Sequence, residues 1–335
     1  MNYPFKLSVI LPCYNVEKYL DLSLRCLEHQ WDDESLEIIF VNDCSADSTA
    51  DRLQEFCKNH PNNTQLINKT QNEGVNKARN DGLAVARGQW ITFLDPDDAL
   101  LDYAYKDLYE NHVSDDIQVL SFETNIHSEQ EDIDQLLKSA SILPKTPSRV
   151  EWEGAGKEFF KRYLTNVCWI FFYNHQLIDR LHVRFRDLTY LEDALFNMDT
   201  ILNDDVIVRR VGCKYHYWIH RSNSLSNIQS PKRNLELIDN IMRALGYMQE
   251  MKQGVSDSEL IKRISWKQQD SSRGIVPILL RSNVNSSQIS KIRKQLKTWN
   301  AYPYHRSNGR SDVLFDLLFK FPHFLSLMRY VIKLK

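Results

Sequence analysis

Apolar residues in the first 125 positions fall into short runs, each closed by a polar cluster and followed by apolar positions at helical spacing. Leu7-Ser8-Val9-Ile10-Leu11-Pro12 reads as a first strand, with Asn15 as N-cap of a helix through Leu27 that buries Tyr19, Leu20, Leu24 and Leu27. Leu36-Glu37-Ile38-Ile39-Phe40-Val41 is a second strand, followed by a helix carrying Leu53, Phe56 and Cys57. Gln65-Leu66-Ile67-Asn68 is a third, followed by a helix bearing Ala78-Arg79-Asn80 that ends around Gly88. Trp90-Ile91-Thr92-Phe93-Leu94 is an interior strand that runs straight into Asp95-Pro96-Asp97-Asp98. A helix over 103–112 and a strand over 117–122 continue the alternation. Strands alternating with helices of this length predict βαβ units and a mostly parallel sheet, an α/β fold flanked by helices.

Downstream the pattern loosens. Residues 128–156 include an acidic stretch and a proline-bounded turn, which suits an insertion or a hairpin. A helix is expected over 159–163 and a buried strand over 167–173, with Trp169 either in the core or against a sugar ring. Glu192-Asp193-Ala194-Leu195-Phe196 opens a helix with two acids, where the helix dipole favours them. A final strand begins near Tyr215 and leads to His220-Arg221-Ser222. From 231 onward Leu235, Ile238, Ile241, Met242 and Leu245 repeat at helical spacing, accompanied by Arg263, Lys267, Arg273 and Arg281. The expected organisation is a catalytic domain over 1–228, divided near 112 into nucleotide and acceptor halves, and a basic helical region over 229–335.

Charge sharpens that division. Residues 1–230 carry 23 Lys and Arg against 36 Asp and Glu, whereas residues 231–335 carry 19 against 8. An acidic body suits a metal-using site, and a basic tail suits an anionic partner surface. The residues from Val313 to Lys335 mix large apolar side chains with cations, which suits a segment lying on an anionic membrane, a helix packed on the body, or a dimer contact. The six cysteines show no CxxC pair or zinc spacing, so they read as free thiols in a reducing cytoplasm. The N-terminus lacks a signal-peptide pattern, no run is long enough to span a membrane, and no nucleic-acid-binding motif occurs.

In an open α/β sheet, ligands bind outside the carboxyl ends of the strands. Four such ends carry polar clusters here: Tyr14-Asn15, Asn42-Asp43, Asn72 to Gly74, and Asp95 to Asp98. Converging ends make a pocket. Three acids within four residues call for a cation, and hard oxygen ligands suit Mg²⁺ or Mn²⁺ with substrate phosphates completing the shell. The alternative is an acidic turn in which Asp98 caps a helix from Leu100 onward. No GxGxxG and no P-loop is present.

The order of these motifs resembles the family 2 glycosyltransferases of GT-A fold. The residues that carry the resemblance are Ser8-Val9-Ile10-x-Pro12-x-Tyr14-Asn15, Asn42-Asp43-x-Ser45-x-Asp47, Asn72-x-Gly74 through Ala78-Arg79-Asn80-x-Gly82, Asp95-x-Asp97-Asp98, and Glu192-Asp193-x-x-Phe196. It covers residues 7 to about 226, and Asn42 stands where that family usually has an aspartate. The resemblance implies a donor site in which Tyr14 stacks on uracil, Pro12 shapes the turn beside Asn15, and Asp43 accepts the ring N–H. It places Asn72, Asp95 and Asp97 at the donor, and Arg79 either near the nucleotide or locking the Asp43 and Asp95 loops. It makes Asp98 the ligand of a divalent ion, Mn²⁺ or Mg²⁺, and Asp193 the general base of an inverting transfer. Glu192 would orient the acceptor, and His220 or Arg221 would bind the diphosphate or complete the metal shell.

The implied activity moves a sugar from a nucleoside diphosphate, UDP above all, onto a hydroxyl of a glycan or lipid-linked saccharide in bacterial cell-surface polysaccharide synthesis. The implied setting is cytoplasmic, peripheral on the inner membrane face, with oligomerisation left open. Two rivals stand beside it. A metal-dependent phosphohydrolase would carry its acid motif after the first strand, where this chain has Pro12-Cys13-Tyr14-Asn15. An inactive sugar-nucleotide-binding scaffold would not need Asp98 and Asp193 together.

Overall fold

The computed structural model describes residues 3–31, 33–128, 148–163, 166–220, 231–282, 284–302 and 319–320, with backbone alone at 125–128, 214, 217–220 and 231–232. The chain forms two compact units. One comprises Met1–Asp187 with Glu192–Ser226, and the other Leu188–Leu191 with Asn227–Lys335.

The first unit opens with β1 (Phe5–Cys13), α1 (Leu20–Glu28), β2 (Leu36–Asn42), α2 (Thr49–Asn59), β3 (Thr64–Asn68), α3 (Val75–Val85) and β4 (Gly88–Phe93). β5 (Ala99–Leu100), α4 (Ala104–His112), β6 (Val119–Ser128) and β7 (Arg149–Ala155) follow. α5 (Gly156–Arg162), β8 (Phe171–Asn174), α6 (His175–Leu181), α7 (Glu192–Ile201) and β9 (Ile207–His220) complete it. The sheet runs β3-β2-β1-β4-β8-β6-β9-β5, with β7 also paired to β9. β3, β2, β1 and β4 are mutually parallel. Beyond β4 the sheet is mixed, because β8 is antiparallel to both β4 and β6 while β6 and β9 are parallel.

Alternation along the strands explains why both faces are covered. Leu7, Val9 and Leu11 of β1 pack on one side with Leu20, Leu53 and Leu108 from α1, α2 and α4. Ile10 faces the other way, with Ala78, Leu83, Leu177 and Phe196 from α3, α6 and α7. A strand buried on both faces reads as a near-continuous apolar run, which is why β1, β2 and β4 were legible. α3 lies against β1 so closely that a Cβ on Gly82 would sit 2.4 Å from Ile10 Cγ2.

One polar group is set deep at the amino ends of the parallel strands. Glu37 is fully buried. Its carboxylate accepts from Ser8 Oγ (2.6 Å), Gln65 Nε2 (2.7 Å), Arg87 N–H (2.7 Å) and Arg87 Nε (2.7 Å). Ser8 Oγ in turn accepts from Gly88 N–H at 2.8 Å. Full satisfaction is what makes a buried carboxylate tolerable.

Several expectations are corrected. Asn15 does not cap α1: it sits at φ 51°, and the helix begins at Leu20 after Tyr19. Its side chain instead accepts from Ala46 N–H at 2.8 Å, and its own N–H donates to Ser45 Oγ at 3.0 Å, so it ties the end of β1 to the loop after β2. Asp98 does not cap a helix either, since the next element is β5, paired to β9. The strand expected over 167–173 begins only at Phe171; Asn197 Nδ2 and the Asp193 carboxylate hold the preceding backbone in a turn. The acidic stretch after β6 lies outside the described residues.

The second unit carries α8 (Pro231–Gln253), α9 (Ser258–Arg273), α10 (Ile275–Arg281) and α11 (Ser286–Thr298). Ile241, Ala244, Leu245 and Met248 share the buried face of α8. Leu235, read as part of that face, is 45% exposed. Lys267 does not join a basic surface, because it is buried and desolvation pulls its ammonium down to about 8. Asp257 caps α9, and Asn285 with Gln288 forms a capping box on α11. Among the described residues, no helix is long and apolar enough to cross a membrane. Of the segment expected to lie on a membrane, only 319–320 are described.

Candidate active site

The parallel strands deliver four loops to their carboxyl edge. Asp43 follows β2, and its N–H donates to Cys13 O at the end of β1 (2.8 Å). Its buried carboxylate accepts from Glu73 N–H (3.0 Å) and Gly74 N–H (2.7 Å) and faces Lys69 Nζ at 3.3 Å. Gly74, at φ 94°, is the residue that lets the chain turn there into α3. Asn42 donates to Asn68 Oδ1 at 2.9 Å and accepts from Ser45 N–H at 3.1 Å, so the amide supplies a donor that an aspartate lacks. Tyr14 is 40% exposed, which leaves part of it open to a ligand. Pro12 is buried behind it, and Asn72 is exposed.

Arg79 is the centre of the site. It projects from α3 and is buried. Nη1 donates to Asp193 Oδ1 at 2.5 Å and lies 3.7 Å from Glu192 Oε1, while Nη2 donates to Asp95 Oδ1 at 3.1 Å. The guanidinium also lies over the Phe185 ring, 5.3 Å from its centroid. Of the two roles expected, locking loops is the one these contacts support, and the loops are those of Asp95 and Asp193. The Asp43 loop is tied to Lys69 instead.

Asp193 opens α7. Burial raises its carboxyl above the ordinary range, and Arg79 opposes that rise. Its Oδ2 accepts from Cys168 N–H at 3.3 Å. Glu192 beside it is pushed up to about 7, by burial first and then by the Asp193 charge. Two adjacent carboxyls thus lie under one cation, and burial raises both.

Asp98 lies at the inner end of the acidic turn, fully buried, with His216 Nε2 3.2 Å from its Oδ2. His216 is also fully buried on β9, its Nδ1 3.1 Å from Thr124 Oγ1 and its ring 4.3 Å from that of Trp169. Burial pushes the imidazole down to about 3 against the pull of Asp95 and Asp97. With the imidazole neutral, the contact of His216 with Asp98 is a polar contact and not an ion pair. Among the described residues, no group of three or more His, Cys, Asp or Glu side chains is arranged to hold a metal ion by itself. A carboxylate and a neutral imidazole are nonetheless donors that suit Mn²⁺, with phosphate and water left to fill the shell. Asp97 is half-buried next to them. Trp169 is buried in the core.

Three residues were not anticipated as site residues. His216 lay within the stretch read as the last strand, but attention fell on His220 and Arg221. The side chain of His220 and all of Arg221 lie outside the described residues. Asn80 clamps Phe185 by a reciprocal pair of 2.8 Å hydrogen bonds, Nδ2 to Phe185 O and Phe185 N–H to Oδ1. Phe185 then stacks on Phe196 of α7 at 4.2 Å between centroids. The Asn in Ala78-Arg79-Asn80 was the available signal for that clamp.

Comparison with known proteins finds relatives in sequence and in fold. The profile of the family described as Glycosyl transferase family 2 matches residues 8–181. The uncharacterized glycosyltransferase YibD of Escherichia coli K12 is 24% identical over 268 residues, 78% of this chain and 75% of that protein. The minor teichoic acid biosynthesis protein GgaB of Bacillus subtilis is 36% identical over 108 residues, 32% of this chain and only 12% of that protein's length. Among solved structures, residues 1–349 of S. aureus TarS in complex with UDP-GlcNAc share the fold with TM-score 0.60 at 20% identity, over 97% of this chain and 89% of that one. The mannosyltransferase PcManGT from Pyrobaculum calidifontis, in complex with GDP-Man and Mn²⁺, gives 0.52 at 12% identity, over 99% and 88%.

Proposed function

This chain belongs to glycosyl transferase family 2, and from that premise we propose that it transfers a sugar from a UDP-sugar onto a hydroxyl of a cell-surface glycan or lipid-linked saccharide, with inversion. The carrying observation is the single guanidinium of Arg79 spanning Asp95 and Asp193, which supports a donor carboxylate and a base facing one reaction centre. In this reading Tyr14 stacks on the base and Asp43 accepts the uracil N–H. Asp193 takes the proton of the acceptor hydroxyl as that oxygen bonds to the anomeric carbon. The bond from that carbon to the diphosphate oxygen breaks on the opposite face, and its electron pair leaves with the nucleoside diphosphate. Burial raises the Asp193 carboxyl and Arg79 opposes that rise, which favours the carboxylate form that accepts the proton. Asp98 and His216 would hold a divalent ion whose charge offsets that developing on the leaving diphosphate. PcManGT with Mn²⁺ supports a divalent ion, and TarS with UDP-GlcNAc supports a UDP-sugar. Residues 1–228 would be the catalytic domain in this account, with the nucleotide half ending near 112.

The test is a calorimetric titration with UDP, GDP and dTDP, each with and without Mn²⁺, together with a turnover assay on UDP-sugars. Asp193→Asn should bind UDP like wild type and lose at least about 100-fold in kcat. An Asp193→Asn protein that turns over normally would refute the assignment of the base. Wild type that binds none of the three nucleotides would refute the donor site.

A further inference from the structure

Lys69 has so far only tied down the Asp43 loop, and its placement is unusual. It follows β3 directly, and its side chain is 6% exposed. Nζ lies 3.3 Å from Asp43, 3.0 Å from Glu73 and 3.1 Å from Asp81. Lysine is seldom buried, since desolvating an ammonium is costly. Desolvation indeed pulls this one down, but Glu73, Asp81 and Asp43 outweigh it and hold the ammonium above its ordinary value. It stays charged.

We propose that Lys69 is a positioning residue for base selection: it holds the Asp43 carboxylate aimed to accept a ring N–H, and ties that carboxylate to the helix bearing Arg79. The inference rests on the reading of Asp43 as the group that meets the base. Three observations support it. Among the described residues, Lys69 is the cation within ion-pair distance of Asp43. Both oxygens of Asp43 already accept a backbone N–H, from Glu73 and from Gly74, so its orientation is fixed by the same turn that Lys69 braces. The other two carboxylates on Lys69 belong to the turn before α3 and to α3 itself, the helix that carries both Arg79 and Asp81. Without the ammonium, Asp43 would face the charges of Glu73 and Asp81 with nothing between them.

The consequence is a selectivity effect. Uracil presents a ring N–H that a carboxylate accepts. Cytosine presents a bare ring nitrogen at the same position and gains nothing from that carboxylate. Loss of Lys69 should therefore weaken uracil binding and leave cytosine binding alone. The experiment titrates UDP and CDP into wild type, Lys69→Met and Lys69→Arg, with melting temperature and kcat recorded for each. We expect Lys69→Met to lose about tenfold in UDP affinity, the worth of one charge-assisted hydrogen bond. CDP affinity and kcat at saturating donor should stay within about twofold, and Lys69→Arg should restore the UDP preference. Equal losses for UDP and CDP, or an unchanged ratio in a protein that melts like wild type, would overturn the inference alone. Should Lys69→Met not fold, Lys69→Arg decides: its longer fork must keep the UDP-to-CDP ratio, and a collapsed ratio overturns the proposal. Wild type that does not bind UDP would overturn the reading of the site, and this inference with it.

Discussion

Replacing Arg79 with Met keeps an unbranched apolar stem, shorter than arginine by about two atoms, and removes the charge. Three carboxylates then lose the cation they share: Asp193 at 2.5 Å, Asp95 at 3.1 Å and Glu192 at 3.7 Å. The guanidinium is buried, so solvent cannot take over its role. Breaking a buried ion pair from one side costs about 3–5 kcal/mol. Part of that cost will be relieved by proton uptake, because Glu192 already sits near 7 and Asp193 is already raised. The expected loss is therefore about 3 kcal/mol, the lower end of that range. That corresponds to about 6–12 °C in melting temperature for a unit of this size. Urea unfolding followed by circular dichroism measures it. The decisive comparison is Arg79→Met with and without Asp193→Asn. If the cost comes from stranded charge, neutralising Asp193 should return about 1 kcal/mol or more in a double-mutant cycle. A loss under about 1 kcal/mol for Arg79→Met, or strict additivity of the two changes, would refute the reasoning.

Two further outcomes follow from separate features. Glu192 keeps its proton up to about 7 in the folded chain but releases it near 4.5 when unfolded, so stability is full below 4.5 and falls as pH rises through 7. The decline should amount to about 3 kcal/mol at most, and Glu192→Gln should flatten it in a series of urea titrations; an unchanged slope would contradict the assignment. Gly82→Ala places a methyl 2.4 Å from Ile10 Cγ2 and must push α3 off β1. We expect about 1–3 kcal/mol of destabilisation, and a variant as stable as wild type would show that the approach is not as close as described.

What the sequence conveyed, and what it withheld, follow from the range of the interactions involved. β1, β2 and β4 were readable because each is an apolar run bounded by its own turn. The polar strand ends were readable because α/β connectivity sends those ends to one edge. Asn15 misled because a turn asparagine and a capping asparagine look alike locally. The choice was made by Ser45 and Ala46, thirty residues away. β5 was missed because two residues pair only with β9, more than a hundred positions on. The same distance hid the partner of Asp98: nothing near Asp98 names His216, and the β5–β9 pairing is what brings them together. Arg79 was flagged by its motif, but which loops it joins depended on the packing of α7 over α3.

The Glu37 cluster gives the sheet two unlike rims. At the amino ends of the strands, one carboxylate gathers β1, β2, β3 and the approach to β4 through short hydrogen bonds. None of those bonds reaches the loops that carry Tyr14, Asp43 or Asp95, or the side chain of Arg79. The two rims can therefore diverge independently among descendants of such a chain. Loops at the reactive rim are free to be lengthened, shortened or rewritten for a new sugar while the anchored rim keeps the strands in register. That independence is a physical basis for one scaffold serving many donors, and it predicts where a designer should cut.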